Sequence, residues 1–217
     1  MNLFFNSIFR EDSAFMLKAS RAAGLVVLNL LWLLCTLPVF TAGPATAALH
    51  YCIFQFHVQR EDRVVRPFFR AFRREFKQGI LLGLPVSCLC ALLVFNGLFL
   101  YGTYPDTVHP LWIPLVILVA MVGAVIVYGF PLLARYRLTL RQIVTNSLAF
   151  LLQRPLFTLG ALGLYLLPVI LLLTVPGLFY RLSFAWLLLG KSLTAYILDR
   201  KLLKLFETQQ EKEEDSE

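Results

Sequence analysis

Four polar side chains within apolar segments are the residues best suited by type and spacing to form a functional site. His50, Gln55 and His57 lie within the short segment 44–59, and Lys191 lies in the last long apolar run. The two histidines are seven residues apart, which places them on nearly the same face of a helix. A third metal ligand is not evident, so we do not expect a metal site. We interpret the four as candidates for a polar path or a partner contact, with buried hydrogen bonding as the simpler role of the histidines.

Lys191 has two interpretations at this stage. It lies about two turns from the internal end of its predicted span, so its aliphatic stem would let the ammonium reach the membrane interface. A buried polar contact with a partner helix or a substrate is the alternative. The segment AWLLLGKS (185–192) imitates the end of a phosphate-binding loop, but it lacks the first glycine and lies in an apolar helical run.

Catalytic combinations of residues are not apparent. Ser-His-Asp, Cys-His and paired-carboxylate sets have no members on a shared predicted face, so we expect neither enzymatic activity nor a cofactor. The cysteines lie in apolar segments and there resemble small hydrophobic residues; they are Cys35, Cys52, Cys88 and Cys90. The predicted spans contain no Asp or Glu, which disfavours ion-coupled transport and aspartyl membrane proteases but not a uniporter or channel.

The composition indicates an integral membrane protein. Apolar residues make up 59% of the 217 residues and charged residues only 15%, and the mean hydropathy is +0.72. The net charge of +7 does not indicate nucleic-acid binding, because the cations lie in short loops between apolar runs. The tendency of cytoplasmic loops to be positive already explains that distribution.

The apolar runs predict an all-α, polytopic membrane fold with six transmembrane helices in three in-out-in hairpins. The predicted spans are 22–40, 44–59, 79–101, 112–134, 156–175 and 178–198. As a helix, the segment 44–59 would be only about 24 Å long, whereas the hydrocarbon core of a bilayer is roughly 30 Å thick. We therefore interpret it as a short span, with a re-entrant helix as the alternative. The loop cations place both termini in the cytoplasm.

The predicted membrane domain covers residues 1–206, and an acidic, disordered cytoplasmic tail covers 207–217. Residues 1–21 precede the first span and have a rough amphipathic pattern, which favours a helix lying in the membrane plane. The second internal loop, 135–155, carries four arginines.

The segment 60–78, REDRVVRPFFRAFRREFKQ, is the most cationic of the chain. Its aromatic residues recur at intervals of four and share one helical face; they are Phe68, Phe72 and Phe76. Arginines cover much of the remaining surface; they include Arg66, Arg70, Arg73 and Arg74. We interpret the segment as an interfacial helix with its phenylalanines in the acyl boundary and its cations among anionic lipids. A solvated helix between spans is the alternative.

Three segments resemble the YesL-like family of bacterial integral membrane proteins, a family without an established activity. They are NLLWLLCTLPVFTAGPATAALHY (29–51), RPFFRAFRREFKQG (66–79) and RYRLTLRQIVTNSLAFLL (135–152), and LPVFTAG is the most specific piece. The resemblance implies a multi-pass protein of the bacterial cytoplasmic membrane. Because such proteins tend to be encoded beside carbohydrate importers of the ATP-binding-cassette type, it also implies a role in sugar uptake, but it supplies no catalytic residue.

The sequence is therefore compatible with three candidate functions. The leading one is a non-enzymatic accessory or assembly partner of such an importer, in contact with its permease subunits. A small-solute facilitator, with its path lined by the four polar residues named first, is the second. A membrane sensor or scaffold acting through the segment 60–78 and the acidic tail is the third.

Overall fold

Helices account for every regular element in the described part of the chain. The structure is a computed structural model that describes residues 20–58, 64–104 and 110–214, with side chains described up to 206 and at 208. Its helices are α1 (Ser20–Thr36), α2 (Ala42–Val58), α3 (Val65–Arg74), α4 (Phe76–Thr103), α5 (Trp112–Arg135), α6 (Leu140–Gln153), α7 (Pro155–Thr174) and α8 (Pro176–Glu214). A short 3₁₀ turn, Val39–Thr41, joins α1 to α2. The predicted all-α class is confirmed for these residues.

Three of the described helices, α4, α5 and α7, are long and apolar enough to cross a membrane. They correspond to the third, fourth and fifth predicted spans. α1 is apolar but has only 17 residues in its described range, Ser20–Thr36. The helices thus agree with a membrane protein, whereas six crossings and cytoplasmic termini stay predictions. The in-plane helix predicted for residues 1–21 lies outside the described residues, apart from its last two.

Helix α2 occupies the centre of the bundle. Twelve of its 17 residues are buried, and it contacts α3, α4, α8 and the last turns of α5. Pro44 in its first turn lacks an N–H that would have no helical partner there in any case. Protein therefore covers most of the surface of this helix.

Backbone-to-backbone contact joins α2 to α4. A Cβ built on Gly83 would lie 2.6 Å from the Cα of Gly43, and one built on Gly79 would lie 2.7 Å from the nitrogen of Pro44. Gly79 and Gly83 form a G-x-x-x-G pair, the spacing that lets apolar helices approach closely. The sequence analysis did not identify this pair.

A wide π-helical turn, Val125–Gly129, interrupts the regular winding of α5. Pro131 follows it and has no N–H for the carbonyl four residues earlier, which favours such an irregularity. The turn places Tyr128, which is fully buried, with its hydroxyl 2.9 Å from Thr158 Oγ1. This hydrogen bond fastens α5 to α7.

Helix α6 occupies most of the segment 135–155, where we predicted an internal loop. Thr139 and Gln142 form a capping box at its start, since Thr139 Oγ1 accepts from the Gln142 N–H and the Gln142 side chain accepts from the Thr139 N–H. Ile143, Ser147 and Phe150 make its buried face. The sequence analysis did not recognise this apolar face, because it interpreted the four arginines in and beside the helix as a sign of a loop.

Helix α8 continues well beyond the predicted end of the sixth span at residue 198 and through most of the segment 207–217, where we predicted disorder. The end of the chain is rich in Glu, Gln and Lys, which have high helix propensity, so a helix already begun can continue through it. Leu198, Leu202 and Phe206 are buried at helical spacing, which indicates that this part of α8 packs on the bundle.

Replacement of Gly83 by Ala tests the glycine crossing. The added Cβ would meet the backbone of Gly43, which cannot move aside as a side chain would, so α2 and α4 must separate. We expect a loss of about 1–3 kcal/mol of stability, seen as a lower midpoint of thermal unfolding in detergent.

Gly97→Ala on the same helix is the matched control, because a Cβ there has no neighbouring atom within 4 Å in the part of the chain that the structure describes. It should leave the midpoint unchanged or raise it slightly through helix propensity. Equal effects of the two substitutions would contradict the close crossing.

Candidate functional site

A buried, hydrogen-bonded pair of His50 and Asp199 joins the middle of α2 to α8. His50 and Asp199 are both fully buried, and His50 Nδ1 lies 2.9 and 2.8 Å from the two carboxylate oxygens of Asp199. An ionised carboxylate removed from water is costly unless it is paired and hydrogen-bonded. The Nδ1–H of His50 donates to Asp199, which fixes the orientation of the ring and leaves Nε2 as its other polar atom.

The position of Asp199 corrects the sequence analysis. We predicted that the last span ends at residue 198, which placed Asp199 just outside it, and concluded that the spans contain no acid. It is instead enclosed within the bundle, because α8 continues through it and turns it towards α2. Ion-coupled transport is therefore no longer disfavoured by the lack of a buried acid.

The second ring nitrogen of His50, Nε2, lacks, within the described part of the chain, the hydrogen bond that buried polar atoms usually make. Nε2 is buried and has no hydrogen-bond partner among the described residues. Buried polar atoms normally have partners, and an unpaired one in a native structure calls for a functional or structural explanation.

Lys191 lies two turns before Asp199 on α8 and contacts aromatic rings. Its Nζ is 4.2 Å from the centroid of the Tyr165 ring and 5.8 Å from that of Trp32, within the range of cation–π attraction. Lys191 is half-buried, and the helices it contacts are α1 and α7 of the same chain, so the choice between its two interpretations stays a prediction.

A polar clamp from α1 holds this part of α8. Asn29 Nδ2 donates to the carbonyl of Leu187 at 2.6 Å, and the Ser192 N–H donates to Asn29 Oδ1 at 3.0 Å. The two bonds span the turn that carries Lys191. Trp32 is fixed in turn by donation from its Nε1 to Thr46 Oγ1 at 3.1 Å. The sequence analysis missed Asn29, although an amide within an apolar run is a signal of this kind.

His57 and Gln55 occupy different surroundings. The ring of His57 stacks on Tyr196 with centroids 4.5 Å apart, and its Nε2 lies 3.3 Å from the Tyr196 carbonyl. Gln55 donates to Tyr51 Oη at 2.8 Å and lines a separate cavity of about 200 Å³.

The predicted polar path is thus only partly assembled. His50 bonds to Asp199 directly, whereas Lys191 and Tyr196, the residue on which His57 stacks, lie on the same helix as Asp199. Gln55 lies apart from them.

The predicted interfacial helix is divided and is turned towards the protein. α3 ends at Arg74 and α4 begins at Phe76, so Phe76 belongs to α4. Phe68 is fully buried among residues of α1 and α2, and Phe72 packs beside it. Phe68 therefore does not face the acyl boundary, because the amphipathic face of α3 covers α2 instead of lipid.

The arginines of this segment differ in their contacts. Arg66, Arg70 and Arg73 are exposed. Arg74 donates to the Ala134 carbonyl at 3.2 Å and lies over the Tyr51 ring at 4.7 Å. It thereby joins α3 to α2 and to the end of α5.

The fold and the site define a helical protein of membrane type with an ionisable pair in its centre. The family described as "Protein of unknown function, DUF624" matches residues 25–97. That match includes α2 and His50, whereas Lys191 and Asp199 lie beyond it.

Two proteins of Bacillus subtilis (strain 168) are similar to this chain. The uncharacterized protein YesL is 29% identical over 198 residues, covering 87% of this chain and 89% of that protein. The uncharacterized protein YesV is 31% identical over 162 residues, covering 70% and 74%. No solved structure matches. The chain belongs to the YesL-like family of uncharacterised proteins.

Removal of the Asp199 carboxylate tests the central pair. In Asp199→Ala both ring nitrogens of His50 would be buried without a partner among the described residues, so we expect a loss of about 3–5 kcal/mol, the range for breaking a buried pair. Thermal unfolding in detergent measures it. Lys201→Ala, at an exposed position two residues away, should change stability by no more than about 0.5 kcal/mol.

The double variant His50→Leu with Asp199→Leu provides a second comparison. It replaces both polar groups by apolar ones, and we expect it to be more stable than Asp199→Ala alone. If Asp199→Ala matched the wild type, the pair would not contribute to stability as described.

Proposed function

We propose that this protein is a non-enzymatic membrane protein that serves as an accessory or assembly partner of an ATP-binding-cassette carbohydrate importer. The observation that carries the proposal is the lack of buried residues in three long apolar stretches. These are 84–99 of α4, 111–121 at the start of α5, and 162–189 across α7 and α8. A membrane helix packed in a bundle normally buries one face, so these stretches offer apolar surface to another protein.

Open glycines support the same view. Among the described residues, no atom lies within 4 Å of a Cβ added to Gly97 on α4 or to Gly160 and Gly163 on α7. Small residues let helices approach each other closely in a membrane, where apolar burial alone gives little drive to associate. The helices of a partner would find room at these positions. The link to a carbohydrate importer comes from the family resemblance alone.

Site-specific photocrosslinking tests the partnership in cells. A photoreactive residue is placed at Phe95 or Phe184, which are 67% and 70% exposed on α4 and α8. We expect a discrete adduct with a permease subunit of a carbohydrate importer, identified by mass spectrometry after purification in mild detergent, because both positions lie on the uncovered apolar surface.

Leu152, 83% exposed on α6, is the control position and should give no such adduct. A discrete adduct with an unrelated membrane protein would overturn the importer but not the accessory role. Adducts with lipid alone, from cells that express the importer, would overturn both.

A second function, a small-solute facilitator, is favoured by the polar groups at the edge of the uncovered stretches. Tyr165 lies near one end of the stretch 162–189 and Lys191 lies just past its other end. The His50–Asp199 pair lies two turns further along α8. In this case the purified protein in liposomes should pass a sugar, as measured by uptake of a radiolabelled solute.

Lys191→Leu should lower the flux because it removes the charge, whereas Lys191→Arg keeps a cation over the same rings and should retain part of it. Flux that is absent in the wild type, or unchanged in Lys191→Leu, would exclude this path.

A further inference from the structure

A cationic cleft lies where the end of α3 and the start of α4 face the connection between α5 and α6. Its volume is about 810 Å³. Its charged lining residues are Arg73, Arg74, Glu75, Lys77 and Arg137. Cations outnumber carboxylates by four to one in this lining, so the cleft is suited to an anion.

Three of the four cations are available to a ligand. Arg74 already pairs with Glu75 and donates to the Ala134 carbonyl. Arg73, Lys77 and Arg137 are exposed and pair with no carboxylate among the described residues. Thr139, the N-cap of α6, also lines the cleft, so the partial positive charge of that helix start adds to theirs.

An apolar groove begins next to the cleft along α4 and α6. It has a volume of about 360 Å³ and is lined on α4 by residues from Leu81 to Leu89, on α5 by residues from Leu118 to Val125, and on α6 by Leu140, Val144 and Leu148. Leu81 lies one turn beyond Lys77, and Leu140 directly follows Thr139. At 1.5 Å per residue the α4 wall extends for about 12 Å.

We propose that cleft and groove together form a binding site for one anionic glycerophospholipid. Its phosphate lies among Arg73, Lys77 and Arg137, and one acyl chain lies along the groove. Inorganic phosphate would use only the cationic part, and an apolar helix of a partner would use only the groove. An anionic phospholipid has a negatively charged phosphate next to apolar acyl chains, which matches a cationic cleft next to an apolar groove.

The lipid site does not depend on the importer partnership. It would hold a lipid whether the protein acts alone or in a complex, so either proposal can fail without the other. It also differs from the interfacial helix expected from the sequence, since the cations now act with a groove between α4 and α6 and not with the phenylalanines of α3.

Binding is measured by native mass spectrometry of the full chain in detergent, titrated with phosphatidylglycerol or phosphatidylcholine. We expect one phosphatidylglycerol to bind at least about ten-fold more tightly than phosphatidylcholine, since several cations near an anionic headgroup each add to the affinity. The triple variant Arg73→Gln, Lys77→Gln, Arg137→Gln should remove that preference.

A charge-matched variant controls for the general cationic surface. Arg66→Gln, Arg70→Gln and Arg141→Gln remove the same charge from exposed positions outside the cleft and should keep the preference. If both triple variants lost it equally, the attraction would be diffuse and no site would exist.

The groove has its own pair of variants. Val144→Trp fills it and should weaken phosphatidylglycerol binding, whereas Val116→Trp on α5, 62% exposed and outside the groove, should not. Glycerophosphate, which has the same phosphate without acyl chains, should fail to displace the lipid from the wild type at equal concentration. Effective displacement would mean a phosphate site instead of a lipid site, and equal effects of the two tryptophans would exclude the groove.

Discussion

The pairing of His50 with Asp199 is the interaction on which the arrangement of the described helices depends. α2 is buried along most of its length, so His50 reaches neither water nor headgroups and must be satisfied from within. The carboxylate comes from Asp199 of α8. Helix α8 must continue beyond its most apolar stretch to place Asp199 beside His50. Because Lys191 lies two turns earlier on the same helix, the docking that brings Asp199 to His50 also sets Lys191 against Tyr165 and Trp32.

Two kinds of contact position the helices around that pair. Between α2 and α4 the contact is steric, because Gly43, Gly79 and Gly83 let the backbones touch. Between α1 and α8 it is polar, because Asn29 bonds to the α8 backbone on both sides of Lys191. Apolar side chains discriminate poorly among partners in a lipid environment, so close approach and directed hydrogen bonds are what determine the register of these helices.

Much of the helical framework was predictable, since long apolar runs with proline at their starts have few alternatives in a membrane. His50 and Lys191 could also be selected, because a polar group in an apolar run is unusual. Asp199 was missed since a charged residue was taken as the end of the span, although the apolar spacing of Leu198, Leu202 and Phe206 continues past it. The apolar face of α3 was recognised, but an amphipathic pattern does not reveal whether protein or lipid covers it.

The described bundle is packed unevenly along its helices, and this unevenness connects the proposed functions. Buried polar pairs, the glycine crossing and aromatic contacts concentrate where α2, the start of α4, the end of α5, α6 and the latter part of α8 meet. The apolar stretches 84–99, 111–121 and 162–189 have no buried residues. These stretches contribute less to the positions of the helices, which are set where the buried contacts concentrate. The His50–Asp199 pair lies in that packed part of the bundle, and the uncovered stretches are the surface on which both proposed functions depend.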